Sequence, residues 1–173
     1  MWARNRYLDP VMATRKHKKG SNEPRTIENR RARHDYSIGD TLECGIALLG
    51  TEVKSIRSGA ASLAEGWVRA TAEPYTLSLH GVHVGEYAPA GPRQHNPTRV
   101  RRLLAHKREI RKLVQATDGQ SATLVPLKIY FKDGRAKVLL GVAEGKRKAD
   151  KRQDLAKREA EREMGRAMSR RRL

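Results

Sequence analysis

Cysteine is almost missing from this chain: Cys44 is the one thiol in 173 residues. No intramolecular disulfide can form, so nothing points to an oxidising compartment and cytosol is the expectation. Long apolar runs are missing too. No stretch approaches the roughly 18 residues that a membrane span needs, and the opening MWARNRYLDPVMATRKHKKG has charge but no apolar core of a secretory signal. Aromatic residues make up only 5% of the chain, few for a sequence-neutral single-strand binder that stacks successive bases. Acidic residues are outnumbered, 19 against 37 Lys and Arg, for a formal net charge of +18.

Catalytic signatures are equally scarce. There is no G-x-S-x-G elbow, no Walker A loop and no H-E-x-x-H. Cys44 lies in an apolar stretch and reads as a buried structural thiol. His80 and His83, three apart on a strand, would face opposite ways, with no carboxylate or thiol beside them to complete a metal site. An RNA-cleaving reading would need His34 with Glu52 or Asp35, but the sequence offers no paired general acid and base. The expectation is a protein that is not an enzyme and uses no cofactor.

What is present is positive charge, concentrated at the ends. Residues 1–27 hold 7 basic and 2 acidic groups, residues 28–145 hold 18 and 12, and residues 146–173 hold 12 and 5. Each phosphate neutralised by Lys or Arg releases condensed counterions, so this layout points to a polyanion, and to nucleic acid in particular. With so few aromatics, a folded RNA read through its backbone and 2′-hydroxyls fits better than a single strand.

Three segments emerge. Residues 1–27, punctuated by Pro10, Gly20 and Pro24, read as a disordered basic arm. Residues 1–11 are a possible non-native start, with Met12 as the alternative. Residues 28–145 read as one domain. YSIGDTLECGIALLG (36–50) predicts one or two strands broken at Gly39–Asp40, and TEVKSIRSG (51–59) a short helix stopped by Gly59. GWVRATAEPYTLSLHGVHV (66–84) predicts a hairpin turning near Glu73–Pro74, with a bulge at Gly81. APAGPRQHNP (88–97) is a loop by composition. TRVRRLLAHKREIRKLVQAT (98–117) has apolar residues at helical spacing and predicts one helix capped by Thr98. Its outer faces would carry Arg99, Arg101, Arg102, Lys107, Arg108, Arg111 and Lys112. TLVPLKIYFKDGRAKVLLGVA (123–143) predicts a hairpin about Asp133–Gly134. Val125, Leu127, Ile129 and Phe131 alternate before the turn; Ala136, Val138, Leu140 and Val142 alternate after it. Short antiparallel strands with one or two covering helices suggest a mainly β fold, a small OB-like antiparallel barrel.

Residues 146–173 contain Gly165, no Pro, and few apolar residues beyond Leu155, Met164 and Met168. Pairs such as Lys157/Glu161 stabilise an isolated helix by only about 0.2–0.5 kcal/mol each. The segment is expected to be mostly disordered alone and helical once a polyanion neutralises it.

Several motifs in order resemble the SmpB family, the small protein B partners of transfer-messenger RNA: ENRRARHDY (28–36), GTEVKSIRSG (50–59), PTRVRRLLAHKREI (97–110) and LVPLKIYFKDGRAKVLLGVAEGKRKADKR (124–152). The resemblance implies an OB-like barrel that binds the tRNA-like domain of transfer-messenger RNA and delivers it to stalled ribosomes for trans-translation. It also implies a C-terminal tail that enters the decoding centre and the empty messenger channel. By the same resemblance Asn29, His34, Glu52 and Lys137 match RNA-contacting positions, with Arg31, Arg33 and Lys54 beside them. Lys146, Arg147, Lys148, Asp150, Lys151 and Arg152 match the segment that meets the ribosome. Ala149 stands where some relatives place a larger residue, such as histidine, that can stack. A cytoplasmic monomer with no membrane partner is expected.

Overall fold

The computed structural model describes residues 25–118 and 122–147, together with residues 150, 159, 160, 162–164, 166 and 168. The expected basic arm therefore lies outside the described residues apart from its last three positions.

In chain order the elements are β1 (Ile27–Glu28), α1 (Arg30–Asp35), β2 (Tyr36–Ile46), α2 (Gly50–Ser58), β3 (Ala61–Ser62), β4 (Trp67–Ala72), β5 (Tyr75–His80), β6 (His83–Val84), a 3₁₀ turn (Ala88–Ala90), β7 (Arg101–Leu104), α3 (Lys107–Thr117), β8 (Ala122–Lys132) and β9 (Arg135–Gly145). Seven strands form one sheet in the order β1-β8-β4-β5-β7-β2-β9, and β8 also pairs with β9. That last pairing closes six strands into an antiparallel barrel, leaving β1 against β8. Closure removes the unpaired edges an open sheet would expose. β3 and β6 form a separate two-stranded ribbon.

The barrel interior is one apolar cluster that includes Cys44, Val68, Leu77, Leu79, Leu103, Leu124, Ile129, Val138 and Leu140. From α3, Ile110 and Leu113 join it. The β8–β9 hairpin turns as expected at Asp133–Gly134, where φ of +50° and +72° fits a type I′ turn. The predicted alternation holds along β9, whose Ala136, Val138, Leu140 and Val142 all pack on this cluster. On β8 it does not. A register shift between Pro126 and Lys128 inverts the facing, so Val125 and Leu127 pack with Ala32 and Ala143 in a second, smaller cluster beneath α1.

β2 is a single strand, and its register shift falls between Ile38 and Thr41, at the Gly39–Asp40 break. The expected 66–84 hairpin is shorter. β5 ends at His80, and Gly81, at φ +66°, turns the chain into β6, which pairs with β3. Gly81 is a turn and not a bulge; a Cβ there would lie 2.2 Å from the Glu65 carbonyl oxygen.

The single helix expected over 98–117 is the largest correction. Residues 101–104 are strand β7, with Leu103 facing Ile46 of β2 and Leu77 of β5. The helix begins only at Lys107, and its N-cap is His106, not Thr98. The backbone N–H of His106 donates to the Glu109 carboxylate at 2.8 Å, half of a capping box. Arg101 hid the strand: it occupies an inward position with no exposed surface, so the polar–apolar alternation cannot be read from residue type.

Candidate nucleic-acid interface

The strand register sets the outer face of the β8–β9 hairpin. Tyr130 opposes Lys137, and Lys132 opposes Arg135. Across the other edge of β9, Gly45 opposes Lys137 and Glu43 opposes Leu139. Glu43 sits between cations, with Oε1 3.5 Å from Lys137 Nζ and 4.0 Å from Lys132 Nζ. The Tyr130 hydroxyl donates a short hydrogen bond to Glu43 Oε2. That bond, with the two lysines, holds the Glu43 carboxyl below its ordinary range against a smaller opposing effect of burial. The same bond pushes the Tyr130 phenol up to about 12. Lys128 lies 5.0 Å from the Tyr130 ring centre. Beside this cluster Leu104 is 54% exposed. Leu104, Lys137, Arg135 and Phe131 border one concavity of about 440 Å³, and the Arg57 guanidinium lies 5.2 Å from the Phe131 ring centre. An apolar floor, a carboxylate acceptor and several lysine and arginine donors together suit a ribose or base edge flanked by phosphates.

Glu52 lies elsewhere and does something different. It has no exposed surface. Its Oε1 accepts from Arg99 Nε and Arg101 Nε, both at 2.8 Å, and its Oε2 from Arg99 Nη2 at 2.5 Å and the Leu49 N–H at 2.7 Å. Burial alone would raise this carboxyl; the bonds from Arg99, Leu49 and Arg101 outweigh it and hold it below the ordinary range. Arg101 is fully buried and also donates to the carbonyls of Val82, Arg99 and Pro97. Burial lowers its pKa, and Glu52 partly compensates. Arg99, 29% exposed, is the member of the network that reaches solvent. Glu52 thus pairs with Arg99 and Arg101, not with Lys54 or Arg57 of its own helix, and Arg101 is not part of any outer basic face.

Asn29 caps α1 and is 5% exposed. Its Oδ1 accepts from the Ala32 N–H at 3.0 Å, and its Nδ2 donates to the carbonyls of Leu63 (2.8 Å) and Pro126 (3.1 Å). Every polar atom of this side chain is engaged inside the protein. Arg31 and Arg33 are exposed on α1, and Arg31 pairs with Asp35 and Glu65. His34 Nδ1 lies 3.0 Å from Asp35 Oδ1. Lys54 is exposed on α2, 5.0 Å from the Tyr87 ring centre. Lys146 Nζ donates to the Arg33 carbonyl and its backbone N–H to the Asp35 carbonyl, both at 3.0 Å, which fastens the root of the tail to α1. Arg147 N–H donates to Asp150 Oδ2 at 3.1 Å. Residues 150, 159, 160, 162–164, 166 and 168 have helical backbone, and Met164 and Met168 are exposed. Lys148, Ala149, Lys151 and Arg152 lie outside the described residues.

Cys44 is buried, and burial, with Glu109 and Glu43 near it, pushes its thiol up to about 11. That is the inert thiol expected. No group of three or more His, Cys, Asp or Glu that could hold a metal occurs among the described residues, nor does a helix long and apolar enough to cross a membrane.

The residues missed by sequence reasoning are Glu43, Leu104 and Tyr130. For Glu43 the signal was available: with Leu42, Cys44 and Ile46 in an apolar strand, strict alternation sends Cys44 inward and Glu43 out. Leu104 was hidden by the helical misreading of its segment.

The SsrA-binding protein of Thermobifida fusca is 51% identical over 162 residues, covering 93% of this chain and all of the relative. That of Salinispora arenicola is 54% identical over 143 residues, 83% of this chain and 89% of the relative. A solved structure described as "tmRNA-SmpB: a journey to the center of the bacterial ribosome" is 45% identical and covers 75% of this chain and 94% of its own, with a TM-score of 0.61. The family model described as SmpB protein matches residues 26–170, so it takes in the barrel, the buried Glu52 network and most of the tail, and the chain belongs to the SmpB family.

Proposed function

We propose that this protein binds the tRNA-like domain of transfer-messenger RNA and carries it to stalled ribosomes for trans-translation. The observation that supports this most is the pairing of family membership with the outer face of β8, β9, β2 and the end of β7. There Lys137, Lys132 and Arg135 offer phosphate partners, Leu104 offers an apolar contact, and Glu43 accepts from base or ribose donors. In this reading Lys137 touches RNA directly. Glu52 and Asn29 act behind the surface, the first by aiming Arg99, the second by fixing α1 and with it Arg31, Arg33 and His34. The protein acts by binding, not catalysis, in the cytoplasm where ribosomes work.

The labour divides between the barrel, which grips the structured RNA, and residues 146–173, which enter the decoding centre and messenger channel. Lys146, Arg147, Asp150 and the basic residues Lys148, Lys151 and Arg152 engage ribosomal RNA there, with the helical residues 150, 159, 160, 162–164, 166 and 168 laid against it. A gel shift with the tRNA-like domain, competed with bulk ribosomal RNA, tests the first half: preference for the tRNA-like domain is expected, and equal affinity would refute it. Removing residues 146–173 tests the second: RNA binding should survive while tagging on stalled ribosomes is lost.

A further inference from the structure

In a chain so poor in aromatics, Trp67 is spent on the surface. It is 45% exposed and lies directly across from His80 in the β4–β5 register. The indole and imidazole are stacked, with ring centres 4.4 Å apart and planes 13° from parallel. His80 Nε2 is buried with no hydrogen-bond partner among the described residues, so packing holds this ring, the indole stack included. With one face of Trp67 against His80 and nearly half of the residue still open, the exposed area is the opposite face and the edge. Trp67 also borders a concavity of about 290 Å³ whose lining includes Tyr36, Thr123 and Arg31, the last paired there with Asp35 and Glu65.

The neighbouring row on the same outer face is cationic. Val68 points into the barrel, which turns Trp67 and Arg69 outward together. Arg69 opposes Ser78, and Ser78 opposes Arg102 on β7; both arginines are exposed. Two residues along a strand are about 6.6 Å, so the two-arginine row lies one short step from the indole. β5 sits across the closed ring from β9, so Ser78 and Lys137 lie on opposite sides of the barrel, while Arg102 stands two residues along β7 from Leu104 at the margin of the Lys137 face.

We infer that Trp67, backed by His80, is a stacking platform for an unpaired RNA base, with Arg69 and Arg102 taking the adjoining phosphates. Aromatic faces bind bases with little regard to sequence, and a neighbouring guanidinium adds charge for the adjoining phosphate. This rests on the RNA-binding role proposed above and adds a second contact, separate from Lys137.

The test uses full-length protein carrying Trp2→Phe, so that Trp67 is the one emitting indole. It is titrated with tRNA-like domain RNA and, separately, with small-subunit ribosomal RNA, with filter retention run in parallel. Stacking should quench Trp67 emission on binding, and the RNA that quenches identifies the source of the base. Trp67→Ala should weaken binding of that RNA roughly 5- to 150-fold, while Trp67→Phe, which keeps a ring, should stay within about fivefold. Thermal midpoints of both variants separate lost binding from lost fold. Retention of both RNAs without quenching, or unchanged affinity in Trp67→Ala, overturns the platform and leaves the proposed function standing. Failure of the unaltered protein to retain either RNA overturns the RNA role, and the platform with it.

Discussion

Replacing Glu52 by Ala should unfold this protein more readily than any surface change could. Glu52 and Arg101 have no exposed side-chain area, and Glu52 is the carboxylate that neutralises Arg101 and Arg99 together. Without it, the Arg101 guanidinium keeps its three carbonyl partners but no counter-charge. Removing one member of a buried ion pair typically costs about 3–5 kcal/mol, which is on the order of 10 °C or more in Tm for a chain of this size. Urea denaturation of Glu52→Ala and Glu52→Gln measures it. Gln keeps one acceptor oxygen and the side-chain volume, so its loss should be smaller. The effect also has a pH signature. The folded Glu52 carboxyl lies below its ordinary range, so its contribution is present above the unfolded pKa of about 4.3 and disappears as pH falls through the lower folded value. The stability gap between wild type and Glu52→Gln should therefore narrow in acid. A cost below about 1 kcal/mol for Glu52→Ala, or a gap that widens in acid, would refute the buried network.

Asn29→Ala should cost about 1–3 kcal/mol, since it removes the α1 cap and takes a buried donor from the Leu63 and Pro126 carbonyls, the first of which keeps the Gly66 N–H; a denaturation curve reads this, and undiminished stability would contradict it. Lys137→Ala should weaken binding of the tRNA-like domain and reduce the slope of log affinity against log salt by about one phosphate's share, as a salt series of gel shifts would report. Tyr130 should ionise near pH 12. Its raised pKa contributes stability that is present below about pH 10 and lost as pH rises through the folded value. Ultraviolet titration of wild type against Tyr130→Phe checks this, and an ordinary phenol value would show that the bond to Glu43 is absent in solution.

Much of this architecture was legible because its signals are local. Asp133–Gly134 announces a hairpin by its demand for positive φ, and residues 136–142 alternate cleanly. Where the fold depends on distant contacts, local pattern failed. Residues 101–104 read as helix because Val100, Leu103 and Leu104 have helical spacing; what makes them a strand is a slot between β2 and β5 that needs filling to close the barrel. Val125 and Leu127 read as barrel core, but a register shift turns them to a second cluster under α1. Helix α1 itself went unread, although Asn29 followed by six residues without Gly or Pro is an N-terminal signal.

The site was partly legible for the same reason. Lys137 stands on a strand whose facing was evident. Glu52, matched by resemblance to a contact, is withheld from the surface by two arginines from β7 and the segment before it, which no local pattern joins to α2. Glu43, one strand over from Lys137, is the half-buried, outward-facing carboxylate that the alternation of its strand had already marked.

The central claim is that the barrel selects one folded RNA. Tagged protein purified gently from cells, with its co-purifying RNA sequenced, tests this most directly. Transfer-messenger RNA should be enriched far above its cellular share in wild type and depleted when Glu43, Leu104 and Lys137 are all replaced by Ala. RNA recovered simply in proportion to its abundance, with ribosomal RNA dominating both samples alike, would contradict the account.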